Sequence, residues 1–123
     1  MRSQACHPDE VRETLAASFT AKTDRSGKYS LDSLIRQGQC FKVMEGDTIV
    51  GAYVLKADGI ECYVLAAAGR CDGDLTAAML AFIEDNSVEF DSIGFQTRRR
   101  GLVKKAQKHG YEIAGYIMRK KLR

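Results

Sequence analysis

A glycine pair carrying both signs of charge stands where an apolar run gives way to a helical pattern: residues 66–80 read AAAGRCDGDLTAAML. A strand end running through glycines into a helix start is suited to hold an anion. The first N–H groups of a helix have no partner within it, and the helix dipole puts partial positive charge there. Glycine lets a phosphate approach the main chain without a Cβ in the way. Arg70 adds a forked cationic donor. Gly69, Arg70, Cys71, Gly73, Asp74 and Leu75 are therefore candidates for holding a pyrophosphate. The same residues also suit an ordinary strand–helix turn with Asp74 as its N-cap. Asp72 and Asp74 oppose an anion: at about 5 Å and an effective dielectric near 20 each costs roughly 3 kcal/mol before screening.

A second constellation lies just upstream. Glu61 and Tyr63 are two residues apart in a β-type run, so both point to one face. A carboxylate and a phenol on one face can serve as general base and general acid. They suit equally the solvent side of a half-exposed sheet. Gln96 can orient a substrate or simply end a strand. Cys62 points to the opposite face, toward a core. His109 falls in the last turn of a helix, where the dipole favours its charged form. Cys6, Cys40, Cys62 and Cys71 contain no C-x-x-C pair, so a zinc site has little support and buried reduced thiols are expected.

These residues need elements to hold them. Pro8-Asp9-Glu10 opens a helix, with Val11, Leu15 and Phe19 as one apolar stripe. Residues Lys22–Tyr29 read as a polar loop. Ser30 caps a short helix that turns Leu31, Leu34 and Ile35 inward. Cys40–Met44, Thr48–Lys56 and Ile60–Ala67 read as an antiparallel meander, turning at Glu45-Gly46-Asp47 and Ala57-Asp58-Gly59. A helix follows with Leu75, Met79, Phe82 and Ile83 on one stripe. Ser92–Thr97 is a strand. Gly101–Lys108 is a helix, with Leu102, Val103 and Ala106 inward and Arg100, Lys104, Lys105 and Lys108 outward. Gly110 ends it, and Tyr111–Leu122 reads as a long final strand. Helices returning between strands make parallel neighbours at that end. The fold class is α+β, with a mixed, mostly antiparallel sheet between helical layers.

The 123 residues suit one domain spanning 1–123. No apolar run is long enough to span a membrane, and no signal-peptide pattern opens the chain, so a cytoplasmic protein is expected. Net charge is only +3, but residues 97–123 carry ten Lys/Arg against one acid, Glu112. That asymmetry suggests an anionic partner near the C-terminal third, or a solvated helix face. Nucleic acid ranks last among the partners, because RRRGLVKK has no interleaved aromatic residues for stacking on bases.

The junction resembles that of the GNAT superfamily of N-acetyltransferases, whose motif is Q/R-x-x-G-x-G/A running into a helix. Leu65 and Ala67 stand at the hydrophobic and proline places that precede it. Arg70–Leu75 supplies R-x-x-G, with leucine where the last small residue belongs. The stretch SIGFQTRRRGLVKKAQKHGYEIAGYIMRKKL resembles the family's strand, helix and final strand, with Gly110-Tyr111 at the usual Gly-Phe. The stretch GDTIVGAYVLKADGIECYVL is similar to its central hairpin, and the short chain resembles compact, phage-encoded members. The resemblance implies a three-layer fold and acetyl-CoA as cosubstrate. The pantetheine would bond the backbone of Leu65 and Ala67, with the pyrophosphate on the Arg70–Leu75 turn. A primary amine of a small molecule or peptide would attack the thioester, and a backbone N–H near Leu65 would hold the oxyanion. Residues 22–29 would help shape the acceptor site. The family's usual acid, a tyrosine four residues before Gly-Phe, is replaced by Ala106. The second reading is therefore a catalytically inactive, GNAT-like structural or partner-binding protein. A homodimer is open on either reading.

Overall fold

The stretch from Gln39 to Gly69, rich in Val, Ile, Tyr and Ala, folds as a meander of three long strands. In this computed structural model, which describes residues 1–17, 30–69, 75–97 and 99–122, they are β2 (Gln39–Glu45), β3 (Thr48–Asp58) and β4 (Glu61–Gly69). β1 (Arg2–Ala5) adds to the β2 edge and β5 (Ser92–Gly94) to the β4 edge, giving the order β1-β2-β3-β4-β5. All neighbours are antiparallel except β4 and β5, which are parallel. The mixed, mostly antiparallel sheet is thus as expected, with β1 as an addition. The turns sit at Gly46 and Gly59, both at φ 61°, a conformation glycine adopts without strain. The second turn falls on Gly59-Ile60, later than expected, because Asp58 still pairs with Glu61.

Helices cover both faces. On one, Val11 and Leu15 of α1 (Arg12–Ala16 with the turn before it) and Ile35 of α2 (Leu31–Gln37) pack on Cys40, Ala52, Val54 and Ala66. On the other, Met79 and Ile83 of α3 (Leu75–Asp85) pack on Val43, Tyr53, Leu55, Cys62 and Val64. Pro8–Glu10 is a 3₁₀ turn rather than a first α-turn. His7 caps it, its Nδ1 accepting from Asp9 N–H while Glu10 accepts from His7 N–H. Ser30 caps α2 as expected, its Oγ accepting from Ser33 N–H at 3.1 Å. An Arg12–Asp32 ion pair ties α1 to α2. Phe19, the Lys22–Tyr29 loop and the Asp74 cap lie outside the described residues.

One polar network crosses the core. Tyr53 is fully buried and stacks on Phe41 at 4.9 Å between ring centroids. Its hydroxyl meets Ser3 Oγ at 2.5 Å and accepts from Asn86 Nδ2 at 3.0 Å. It therefore pins β1 and the end of α3 to the middle of the sheet. Burial is also the main cause pushing its phenol up, with the two hydrogen bonds opposing.

The thiols behave as expected for core residues. Cys40 and Cys62 are buried, and Cys6 packs against the first cluster. Burial, then the Glu10 charge, pushes the Cys6 thiol up to about 11. Only the thiolate is nucleophilic. Native Cys6 is therefore expected to alkylate with iodoacetamide at pH 8 at least tenfold more slowly than a free thiol. Peptide mass spectrometry on a time course checks this; an unretarded rate contradicts the buried placement.

The C-terminal third departs from expectation. β5 ends at Gly94, short of Thr97. α4 (Arg100–Lys108) forms, with Ala106 buried and Arg100, Lys104, Lys105 and Lys108 exposed. Gly110 follows at φ 89°. Residues 111–122 form no strand, although a long final one was expected there. A strand needs a neighbour at about 4.8 Å to satisfy its backbone. Here a cleft separates this segment from β5.

Candidate active site

The site is built on an irregularity in β4. Val54 pairs with Ala66 but Leu55 pairs with Val64, so Leu65 is an extra residue, a β-bulge. The bulge reverses the alternation of side chains. Cys62 and Val64 pack in the α3 cluster, while Ala66 packs in the α1–α2 cluster. The main chain at Leu65 is thereby turned out of the regular ladder.

The second irregularity is a parting of strands. β4 and β5 pair only at Glu61–Ser92, Cys62–Ile93 and Tyr63–Gly94. β4 runs on to Gly69, so from Val64 onward its β5-side edge carries no strand among the described residues. Leu65 and Ala67 stand on this open edge. An unpaired strand edge offers a row of N–H and C=O groups to any extended molecule laid beside it.

Glu61 and Tyr63 stand at the foot of the parting. Both line a cleft of about 510 Å³ with Phe95 to Thr97, one side of α4, and residues 111–117. Ser92 Oγ donates to Glu61 Oε1 at 3.3 Å. The Glu61 carboxylate lies over Gly94, where a Cβ would come within 2.6 Å of Oε1. Gly94 is a site residue that the sequence reading missed. The available signal was a glycine inside a short strand, which marks close approach. Gln96 also lines the cleft, and so does Ala106, the replacement for the expected helix tyrosine.

Tyr111 also lines the cleft. Its ring meets Phe95 edge-on at 5.5 Å. Burial first, then the charges near Glu84 and Cys62, push its phenol up. Its buried hydroxyl has no hydrogen-bond partner among the described residues.

At the other end of β4, Gly69 faces Gly51 across the ladder. A Cβ on Gly69 would collide with the Leu75 side chain, and one on Gly51 would come within 3.3 Å of it. The two glycines therefore seat Leu75 and draw the first residue of α3 onto the end of β4. Arg70, Cys71, Gly73 and Asp74, the centre of the expected anion turn, lie outside the described residues. Among the described residues no group of three His, Cys, Asp or Glu side chains is placed to hold a metal ion. No described helix is long and apolar enough to cross a membrane.

The fold is similar to that of solved acetyltransferases, one of them of the GNAT family. A Bacillus subtilis acetyltransferase in complex with CoA superposes with a TM-score of 0.71 at 21% identity, over 93% of this chain and 78% of that one. A GNAT-family acetyltransferase from Streptococcus pneumoniae superposes at 0.67 and 16% identity, over 98% and 96% of the two chains. An aminoglycoside acetyltransferase from an uncultured soil metagenomic sample, in complex with sisomicin, gives 0.59 and 12%, over 99% and 96%. No family model matches the sequence, and no curated protein matches it.

Proposed function

We propose that this chain is an acetyl-CoA-dependent N-acetyltransferase in which a primary amine attacks the thioester directly. The bulge at Leu65 at the mouth of the β4–β5 parting carries the reading. An extended pantetheine arm has amides that match an open strand edge, and Leu65 and Ala67 would bond it there. The Arg70–Leu75 turn would take the pyrophosphate. When bound, acetyl-CoA supplies the activated acetyl group.

The chain's own residues do the rest. The Leu65 N–H, at the bulge, donates to the carbonyl oxygen as negative charge builds on it. Such a donor contributes about 10²–10³ in rate. Glu61, held by Ser92, accepts a proton from the acceptor's ammonium directly or through water, and the freed amine attacks. Tyr63, on the same strand face, returns a proton to the departing thiolate. Ala106 cannot supply that proton, so the phenol of β4 takes the part. The acceptor is a small-molecule or peptide amine that fits the cleft beyond Glu61. The acetyltransferase bound to sisomicin, an amine, supports that class.

Acetyl-CoA at about 1 mM is expected to raise the melting temperature by several degrees, since a ligand at 100 Kd stabilises by about 2.7 kcal/mol. Thermal-shift measurement with CoA and acetyl-CoA checks this. No shift at millimolar concentration rejects the cofactor. A second reading, a partner-binding module without catalysis, is motivated by Ala106. A clear shift, with no thiol release across a broad amine panel, selects it.

A further inference from the structure

Two lysines are half-buried among the described residues, Lys42 and Lys56. Lys42 is neutralised by Glu10, with Nζ 2.7 Å from Oε1. Among the described residues no carboxylate pairs with Lys56. Its Nζ donates instead to a neutral oxygen, Gln37 Oε1 at the end of α2, at 3.4 Å. That oxygen is aimed at the lysine. Gln37 Nε2 donates to the Ser33 C=O and to Ser33 Oγ, both at 3.2 Å, so the amide turns its carbonyl end toward Lys56. Partial burial of a charge costs free energy unless a counter-charge meets it. An ammonium carries three N–H donors, and one neutral acceptor leaves two for an anion.

The ladder sets opposite charge beside this lysine. Val54 packs in the α1–α2 cluster, so Lys56 and Asp58, two and four residues on, lie on that face of β3. Lys56 is opposite Tyr63, and Asp58 is opposite Glu61. Opposed residues of an antiparallel pair share a face. The four side chains thus form a square, with cation and phenol in one row and two carboxylates in the next. Like charges directly opposite destabilise a sheet, and an ammonium set between them relieves that. Lys56 stands diagonal to Glu61, roughly 7–8 Å away, within reach of both side chains.

We propose that this square selects a zwitterionic acceptor, a free α-amino acid. The inference rests on the acetyltransferase reading and names its acceptor class. The acceptor's ammonium lies in the row of Asp58 and Glu61, where Glu61 takes its proton. Its carboxylate lies over β3 and accepts from Lys56, a charge-assisted bond of the stronger kind. A single carbon separates the two groups of an α-amino acid, so one molecule reaches both rows of the square. A plain amine leaves Lys56 without a counter-charge. A peptide amine sets a neutral carbonyl against it. Lys56 is therefore the specificity determinant, and Gln37, oriented by Ser33, is the residue that positions it.

The test compares the proteinogenic amino acids with their decarboxylated amines as acceptors for the full chain with acetyl-CoA. The preferred amino acid is expected to exceed its amine at least tenfold in kcat/KM. Lys56→Met keeps the apolar stem and removes the charge. It should lower that preference at least tenfold, through KM for the amino acid rather than through kcat, and Lys56→Arg should restore it. Calorimetry of the free protein with the same compounds reads the preference without turnover. Amino-acid binding that Lys56→Met weakens at least tenfold, with no acetyl transfer, rejects the enzyme and keeps the subsite. Amines used or bound as well as amino acids overturn the subsite and leave the enzyme standing. So does a preference that Lys56→Met lowers less than tenfold, which reduces Lys56 to a tie between β3 and α2. A chain that neither binds nor acetylates any amino acid overturns the subsite as well.

Discussion

Glu61→Gln is expected to lower kcat for amine acetylation by about 10²–10³-fold, with the acetyl-CoA KM changed less than threefold. The carboxylate is the one acidic group that the β4–β5 pairing holds at the foot of the strand parting, beside Tyr63. Glutamine keeps its shape and can still accept from Ser92, so the fold is preserved. Only the capacity to take a proton is lost. The ammonium form of the acceptor would then stay non-nucleophilic at neutral pH. The substituted enzyme should recover as pH rises toward the pKa of the free amine, because deprotonation in water replaces the base. Steady-state kinetics from pH 6 to 10 on both proteins reads this. A parallel loss at every pH points to a positioning role instead. An unchanged kcat removes Glu61 from the mechanism.

Tyr53→Ala should cost about 3–5 kcal/mol, lowering the melting temperature by about 10–20 °C. Tyr53 is the largest fully buried side chain among the described residues. Its removal opens a cavity in the middle strand and strips Phe41 of its stacking partner. It also releases Ser3 and Asn86, so β1 and the end of α3 lose their shared tie. Tyr53→Phe keeps the ring and is expected to cost only about 1–2 kcal/mol, the hydrogen-bonding share. Chemical denaturation of both variants separates packing from polar contribution. Near-equal losses would mean that the hydroxyl network, not the ring, holds the three elements together.

Much of the frame was legible because local periodicity writes it. The runs from Gln39 to Gly69 are rich in Val, Ile and Tyr, and their turns carry glycines at positive φ. The Leu75–Ile83 stripe has helical spacing, and Ser30 is a cap whose chemistry needs only three following residues. Glu61 and Tyr63 could be paired from spacing alone, because a strand repeats every two residues. β1 was harder: four residues with one intermediate and three exposed side chains show little alternation. What they possess is an edge to pair with, and no local pattern records that.

The sequence by itself determined the order of strands and helices from Ser30 to Gly69 and from Leu75 to Lys108, the Ser30 cap and the burial of Cys40 and Cys62. Each follows from neighbours a few residues apart. Tertiary structure alone decided that Leu65 is a bulge, that β4 and β5 part beyond Tyr63 and Gly94, and that Glu61 lies across Gly94. It also decided that Tyr111–Leu122, a strand by pattern, stands unpaired. Register, parting and pairing are relations between segments distant in the chain. A strand exists only where another backbone meets it, and that meeting is set by how helices and sheet pack.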